Sequence, residues 1–233
     1  MNNKSFSIII PVLNEKKNIQ ILSEKIFFFC NRKKFEIIFI DDNSSDSSDQ
    51  LLKRLQNKYK NYRYYIRKEK FKDLSSSISL GITKSKFENI IVMDGDLQHD
   101  PKYLPIIMNL YEEKAPDFLV CVRNFNKRSG LSFFRFLSSI ILIFIINLIL
   151  IKKVSDPMSG FFIFKKKIYF KFKKKMYGKG FKFLFDILYQ KKENFKVLEY
   201  EILFKKRKQN QSKMKLPILF KLLLSLLKKT ISQ

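Results

Sequence analysis

The sequence predicts an α/β fold in which strands and helices alternate around a parallel sheet. Two observations carry that reading. Short apolar runs (FSIII, FEIIFI, IIVM) recur along the first half of the chain, separated by stretches of roughly ten residues or more with helical character. The runs FEIIFI and IIVM also stop abruptly at acids, Asp41 and Asp42 in one case and Asp94 and Asp96 in the other. In a parallel sheet such strand ends share one edge, which is where open α/β sheets bind their ligands.

Taken in order, Phe6 to Ile10 form the first strand, and Pro11 is expected to end its ladder. Asn18 is a candidate cap for a helix reaching about Cys30. Phe35 to Ile40 form the second strand, and the turn formers of NSSDSSD start a helix near Ser47 or Ser48 that runs to about Tyr59. A short strand over Tyr62 to Arg67 leads through a lysine-rich loop to a helix over Ser75 to Ile82. Ile90 to Met93 make the central strand, followed by a helix from Lys102 to about Glu113 and a strand from Asp117 to Val122. Beyond lie SDPMSGFFIF and the basic segment Lys165 to Lys175, to which no element is assigned, then a helical GFKFLFDILYQKK and a strand around Val197 to Phe204.

Two apolar stretches stand apart. Phe136 to Ile151 runs 16 residues without a charge. As a helix it would reach about 24 Å, short of the roughly 30 Å hydrocarbon core of a bilayer. A buried helix and a helix at the membrane interface both fit it. Leu216 to Ile231 alternates leucine clusters with lysines, as a basic amphipathic helix does when it packs on its own domain or on a membrane. The expected organisation is one domain over 1–213 and this helical appendage over 214–233.

The chain of 233 residues carries 47 Lys and Arg against 21 Asp and Glu, a formal charge of +26. That excess calls for an anionic partner such as a nucleotide, a nucleic acid or an anionic membrane. Richness in Lys, Asn, Ile and Phe without Trp is also the composition that an AT-rich genome imposes. No nucleic-acid-binding signature accompanies the charge, so nucleic acid is not the expected partner. Cys30 and Cys121 lie far apart in apolar stretches and read as buried thiols of a reducing compartment, with no ligand spacing for zinc. The N-terminal apolar run is too short for a signal peptide.

Asp94 and Asp96 are the focus. Two carboxylates one residue apart share a face of extended chain and repel unless a cation lies between them. Asp and Gln oxygens suit Mg²⁺ or Mn²⁺, so Asp94, Asp96 and Gln98 are candidate metal ligands. An Asp-Gly turn with solvated acids is the simpler reading of the same residues.

Six segments decide between them: PVLNEKKNI, IIFIDDNSSDSS, IIVMDGDLQHDP, SDPMSGFF, GFKFLFDIL and FKKRKQNQSK, spread from Pro11 to Lys213. In this order they resemble glycosyltransferase family 2, most closely its dolichol- and polyprenol-phosphate mannose synthases. The resemblance implies a GT-A (Rossmann-like) nucleotide-sugar-binding sheet in three α/β/α layers, with amphipathic C-terminal helices. It implies a donor of the GDP-mannose or UDP-glucose type, a polyprenyl phosphate acceptor and a site on the cytoplasmic face of the membrane. By the same resemblance, donor contacts fall on Pro11, Leu13, Glu15, Ile40 and Asp42, and metal and diphosphate contacts on Asp94, Gly95, Asp96 and Gln98. Arg123, Arg207 and Lys213 match the family's basic residues, and Arg135 matches an arginine of its acceptor region. Asp94, Asp96 and Arg207 are expected to carry catalysis, through an inverting single displacement. Asp156 is either a helix cap or turn former or an acid near the acceptor or metal, Asp186 either a site acid or a helix-surface carboxylate, and His99 a structural turn contact. The chain departs from the family at Leu13, usually aromatic, at Asp73 to Ser77, usually glycine-rich, and at Asn210, usually glycine. A family member acting on a saccharide or protein hydroxyl is the other reading, and that chemistry would need an acceptor-side base.

Overall fold

The computed structural model describes residues 4–123, 146–147, 154–176, 178, 180, 183–190 and 193–204. Seven strands form one sheet in the order β3-β2-β1-β4-β6-β5-β7. In chain order the elements are β1 (Ser5–Val12), α1 (Lys16–Phe29), β2 (Lys34–Asp41), α2 (Ser48–Lys58), β3 (Tyr62–Ile66), α3 (Leu74–Lys84) and β4 (Asn89–Met93). A 3₁₀ turn (Pro101–Tyr103) then opens α4 (Leu104–Lys114), followed by β5 (Phe118–Arg123), β6 (Phe161–Lys165), α5 (Lys166–Phe172), α6 (Phe183–Leu188) and β7 (Val197–Ile202).

Both faces of the sheet are covered, which explains why its strands read as unbroken apolar runs. Ile8, Ile10, Ile37, Phe39, Ile91 and Met93 pack beneath α1, α2 and α4. Their neighbours Ile9, Ile38, Ile40, Ile90 and Val92 pack on the opposite face against α3, α5 and α6. The period-two alternation thus divides each strand between two cores, and the three layers follow from it.

The connections determine where a crevice forms. From β1 the chain steps outward through β2 to β3, with both connecting helices on one face. It then crosses back on α3, over the other face, to place β4 on the far side of β1. Strand order therefore reverses between β1 and β4, and at such a switch point the loops diverge and leave a cleft at the carboxyl ends.

Two expectations require correction here. Pro11 does not end its strand, because β1 continues to Val12 with Pro11 in register with Ile40. The Asp42 N–H donates to the Val12 carbonyl, so Val12 faces β2 and Pro11 faces the β4 side, where pairing has already stopped at Ile9 and Val92. No ladder bond is lost there. The sheet is also not wholly parallel, since β6 runs antiparallel between β4 and β5. Its run of FFIFK has no alternation to mark it, because both of its faces are buried.

Asn18 does not cap α1 but lies inside its first turn, buried, and donates from Nδ2 to Glu15 Oε2 at 2.6 Å. Cys30 and Cys121 are free and buried, and burial pushes the Cys30 thiol up to about 12 against the lowering influence of Lys33. Of Phe136 to Ile151 only Ile146 and Asn147 are described. Ile146 is buried, and Asn147 makes two hydrogen bonds to the Val154 backbone at 2.9 and 3.0 Å. Arg135, Arg207, Lys213 and the 214–233 segment lie outside the described residues. Among the described residues no helix is long and apolar enough to cross a membrane.

The amino-terminal half of the sheet is joined by a polar node. Buried Glu36 accepts from Ser7 Oγ at 2.6 Å, from the Lys86 N–H at 2.6 Å and from the Arg63 guanidinium, linking three strands and the loop before β4. Glu36→Leu should cost about 2–4 kcal/mol in urea denaturation, because three donors lose their acceptor. Arg63→Leu should cost less, since Arg63 is partly exposed. Equal losses would show that the ion pair, not the node, carries the stability.

Candidate active site

The loops that follow β1 and β2 are fastened to each other. The Asn14 N–H donates to Ser44 Oγ and the Ser45 N–H to Asn14 Oδ1, both at 2.8 Å, while the Lys16 N–H reaches Asp46 Oδ2 at 2.9 Å. Asn14 (φ 55°), Asn43 (φ 57°) and Ser47 (φ 61°) adopt left-handed backbone, which Asn tolerates best after Gly. Asp46 also accepts from the Ser48 N–H and Oγ at the start of α2. Burial alone would raise its pKa, but these hydrogen bonds outweigh it and hold the carboxyl below the usual range.

Asp41 and Asp42 differ in task. Asp41 is 1 % exposed and accepts from the Ser44 N–H and Oγ. Asp42 is 5 % exposed, and its Oδ1 lies 3.2 Å from the guanidinium of Arg67, itself buried at the end of β3. Its Oδ2 accepts the Asp73 N–H at 2.6 Å. Burial pushes both carboxyls up, against the lowering effect of Ser44 on Asp41 and of the Asp73 N–H and Arg67 on Asp42. Arg67 also donates to the Phe71 and Asp73 carbonyls, and Asp73 caps α3 through Ser76 and accepts the Gly180 N–H. Arg67 was not among the expected site residues, although a cation closing a strand beside two acids is a readable signal.

At the switch point β4 ends with Met93 and the chain bends, with Leu97 at φ 63°. The extended backbone that would place Asp94 and Asp96 on one face stops here, and the two acids acquire different surroundings. The Asp94 side chain is 36 % exposed, with Oδ2 3.5 Å from His99 Nε2. Asp96 is 6 % exposed, and its Oδ1 accepts the Gln98 N–H at 3.0 Å. His99 is buried between Phe161 and Phe204, ring centroids at 5.4 and 5.2 Å, as befits a structural contact. Gly95 is required by close approach, since a Cβ there would stand 2.6 Å from Val12 Cγ1 and 3.3 Å from the Pro11 carbonyl oxygen.

Because β6 is antiparallel to β4, its first residue Phe161 lies opposite Met93, and the turn before it is delivered to Asp94. The Asp94 N–H donates to the Gly160 carbonyl at 3.1 Å, and the Asp94 carboxylate lies where a Cβ on Gly160 would be. In the same turn Asp156, 2 % exposed, accepts from Arg123 Nε at 2.7 Å, with Phe204 over the guanidinium at 5.4 Å. The structure thus gathers Asp94, Gly95, Asp96, Gln98, Arg123, Asp156 and Phe204 beside the β1 loop of Leu13 and Glu15. The Ile40 side chain is fully buried in the core beneath α3, which leaves its backbone as the part that could meet a donor. Asp186 is no surface carboxylate either, being fully buried and accepting the Gly178 N–H at 3.2 Å.

The described residues contain no group of three or more His, Cys, Asp or Glu fit to hold a metal. Two carboxylates and the amide oxygen of Gln98 are hard donors that suit a Mg²⁺ or Mn²⁺ completed by phosphate oxygens, the usual arrangement where the metal arrives with a nucleotide. The residues therefore fit a metal shared with a substrate rather than an all-protein cage.

This architecture is the GT-A type of glycosyltransferases. Among solved structures, the chain is similar to glucosyl-3-phosphoglycerate synthase from Mycobacterium tuberculosis in complex with Mn²⁺, UDP-glucose and phosphoglyceric acid, with a TM-score of 0.73 at 13 % identity over 97 % of this chain and 79 % of that one. Mannosyl-3-phosphoglycerate synthase from Rubrobacter xylanophilus matches with a TM-score of 0.70 at 10 % identity, covering 98 % and 74 % of the two chains. Residues 7–171 match the model of glycosyl transferase family 2, and the chain belongs to that family. The dolichol-phosphate mannosyltransferase of Pyrococcus furiosus is 32 % identical over 221 residues, which is 93 % of this chain and 61 % of that protein. The Saccharomyces cerevisiae dolichol-phosphate mannosyltransferase is 32 % identical over 70 % of this chain and 61 % of its own length. An undecaprenyl-phosphate 4-deoxy-4-formamido-L-arabinose transferase of Yersinia enterocolitica is 33 % identical over 47 % of this chain and 34 % of its own. The chain thus spans about three fifths of the length of the first two relatives.

Two outcomes follow. Gly160→Ala should lower turnover about a hundredfold by displacing Asp94, the usual penalty for a shift of about 1 Å at a reacting centre. It should also weaken Mn²⁺-dependent thermal stabilisation, and an unchanged metal response would remove Asp94 from the metal site. For Asp41, whose pKa is raised, the native state holds its proton to higher pH than the unfolded chain. That contribution is complete below 3.8 and is lost as pH climbs through the native value. Asp41→Asn should therefore gain on the parent in urea denaturation as pH rises above 3.8, and a constant difference would refute it.

Proposed function

We propose that the chain transfers a hexose from a nucleotide-sugar donor of the GDP-mannose or UDP-glucose type to a polyprenyl phosphate, with inversion, at the cytoplasmic face of a membrane. The observation that carries this reading is how the carboxylates of the cleft are engaged. Asp41, Asp42, Asp46 and Asp156 are held by hydroxyls, backbone N–H groups or arginines, and Asp96 holds its own turn. The Asp94 side chain is 36 % exposed, and in this reading it is the acid that meets the metal. A sugar hydroxyl would need a base among them. A polyprenyl phosphate needs none, because with a second pKa of about 6 it is already largely ionised at neutral pH. The names of the Pyrococcus, Saccharomyces and Yersinia relatives support the same acceptor class.

In this reading Asp94, Asp96 and Gln98 hold a Mg²⁺ or Mn²⁺ with the donor diphosphate. When bound, the cation supplies Lewis-acid stabilisation for the charge that grows on the leaving diphosphate. Leu13, Glu15, Asp42 and the Pro11 backbone form the nucleoside side of the cleft. Arg123 is set in place by Asp156 and Phe204, with Arg207 and Lys213 proposed as further phosphate partners and Arg135 as an acceptor contact. The 1–213 segment is the proposed catalytic unit, and 214–233 a proposed contact with an anionic membrane.

The test is transfer of labelled sugar from GDP-mannose and UDP-glucose to undecaprenyl phosphate with Mg²⁺ or Mn²⁺, read as chloroform-soluble label. Chelation of the metal should abolish the product. Asp96→Asn, which keeps an acceptor for the Gln98 N–H, should lower the rate by at least about a hundredfold while the thermal midpoint holds. A folded protein that makes no lipid product from either donor overturns the reading.

A further inference from the structure

We propose that the loop Arg67–Asp73, between β3 and α3, is a membrane-docking element that inserts the Phe71 ring into an anionic bilayer. Phe71 is 78 % exposed, more than any other large apolar side chain of the described residues. Its neighbours Lys68, Lys70 and Lys72 are exposed as well, with Glu69 the one acid between them. An apolar ring ringed by ammonium groups matches the boundary between acyl chains and anionic headgroups, the lysine stems lying along the apolar zone with their charges in the headgroups.

The loop is held in that pose. The buried Arg67 donates to the Phe71 carbonyl at 2.9 Å and to the Asp73 carbonyl at 3.0 Å, while its guanidinium pairs with Asp42. Lys72 Nζ donates to the Asn43 carbonyl at 2.6 Å, and Asp42 accepts the Asp73 N–H. With the backbone pinned at the Phe71 carbonyl and at Asp73, less ordering of the loop accompanies insertion of the ring.

Placement selects the bilayer as the occupant. β3 is parallel to β2, and β2 to β1, so the loop opens at the same edge as the cleft that holds Asp94. Exposed Lys16 and Lys17 stand on that edge too, with the neighbouring Asp46 turned to the Lys16 N–H and Ser48, and Asp49 exposed beyond them. An acceptor whose phosphate sits at the headgroups requires this edge to face the membrane. The inference rests on the proposed acceptor in that respect, and its test needs neither acceptor nor donor.

The chain has no tryptophan, so Phe71→Trp and Phe28→Trp each create a single reporter. Phe28, 73 % exposed in the last turn of α1, lies at the opposite edge, because α1 runs back from the end of β1 to the start of β2. With phosphatidylglycerol vesicles free of polyprenyl phosphate, the full chain carrying Phe71→Trp should shift its emission to shorter wavelength and be quenched by brominated lipid. Phe28→Trp should do neither. Phe71→Asp should lower partition into the vesicles about tenfold, on the scale of one buried aromatic ring, while transfer to a detergent-dispersed acceptor stays unchanged. Sedimentation with vesicles and no movement of the Phe71→Trp spectrum would overturn the proposal, as would failure of the parent chain to sediment with anionic vesicles. Either result leaves the transfer assay to stand or fall by itself.

Discussion

β4 carries the molecule's decisive constraint. It is hydrogen-bonded to parallel β1 on one side and antiparallel β6 on the other, and it is where the winding of the chain reverses. The reversal opens a cleft between the ends of β1 and β4, as the geometry of doubly wound sheets requires. The antiparallel neighbour then brings the beginning of a strand, rather than its end, to the same cleft. One edge therefore collects Asp94 and Asp96 from β4, Leu13 and Glu15 from β1, Asp42 from β2 and the Asp156–Gly160 turn from β6.

Charge is distributed along that edge by a consistent rule. An acid buried there receives a cation or a hydrogen-bond donor that holds it in one place: Arg67 for Asp42, Ser44 for Asp41, Arg123 for Asp156. Removing one partner from such a pair is far more costly than never having had it, because the remaining charge stays buried without compensation. Rigidity at the cleft is thus a property of pairs and nodes rather than of single side chains. Glu36 repeats the arrangement at the far end of the strands, where one acid joins β1, β2, β3 and the loop before β4.

Much of this was legible in the residues, for identifiable reasons. FEIIFI and IIVM announce buried strands, and the acids after them announce an edge, because a parallel sheet has one carboxyl side. The same reading places Asp94 and Asp96 at that edge, where the structure has them. The Ile40 side chain is on the core face, which likeness to a family, assigning positions without regard to face, does not reveal. β6 was missed because FFIFK, buried on both faces, has no period to separate strand from helix. Gly160 was missed with it: only the antiparallel pairing of residues about seventy apart reveals that the glycine makes room for Asp94. Phe204 acts through a tertiary contact that no local pattern contains.

Glu199, on the edge strand β7, accepts from both the N–H and the hydroxyl of Ser155, at 2.5 and 2.6 Å, and Phe204 two residues past that strand covers Arg123. The match to the family model ends at residue 171. A fragment trimmed to that boundary would retain every acid of the β4 loop and yet lose the clasp that anchors the turn beside them. The smallest piece that keeps this clasp therefore extends past the border that the family model alone would draw.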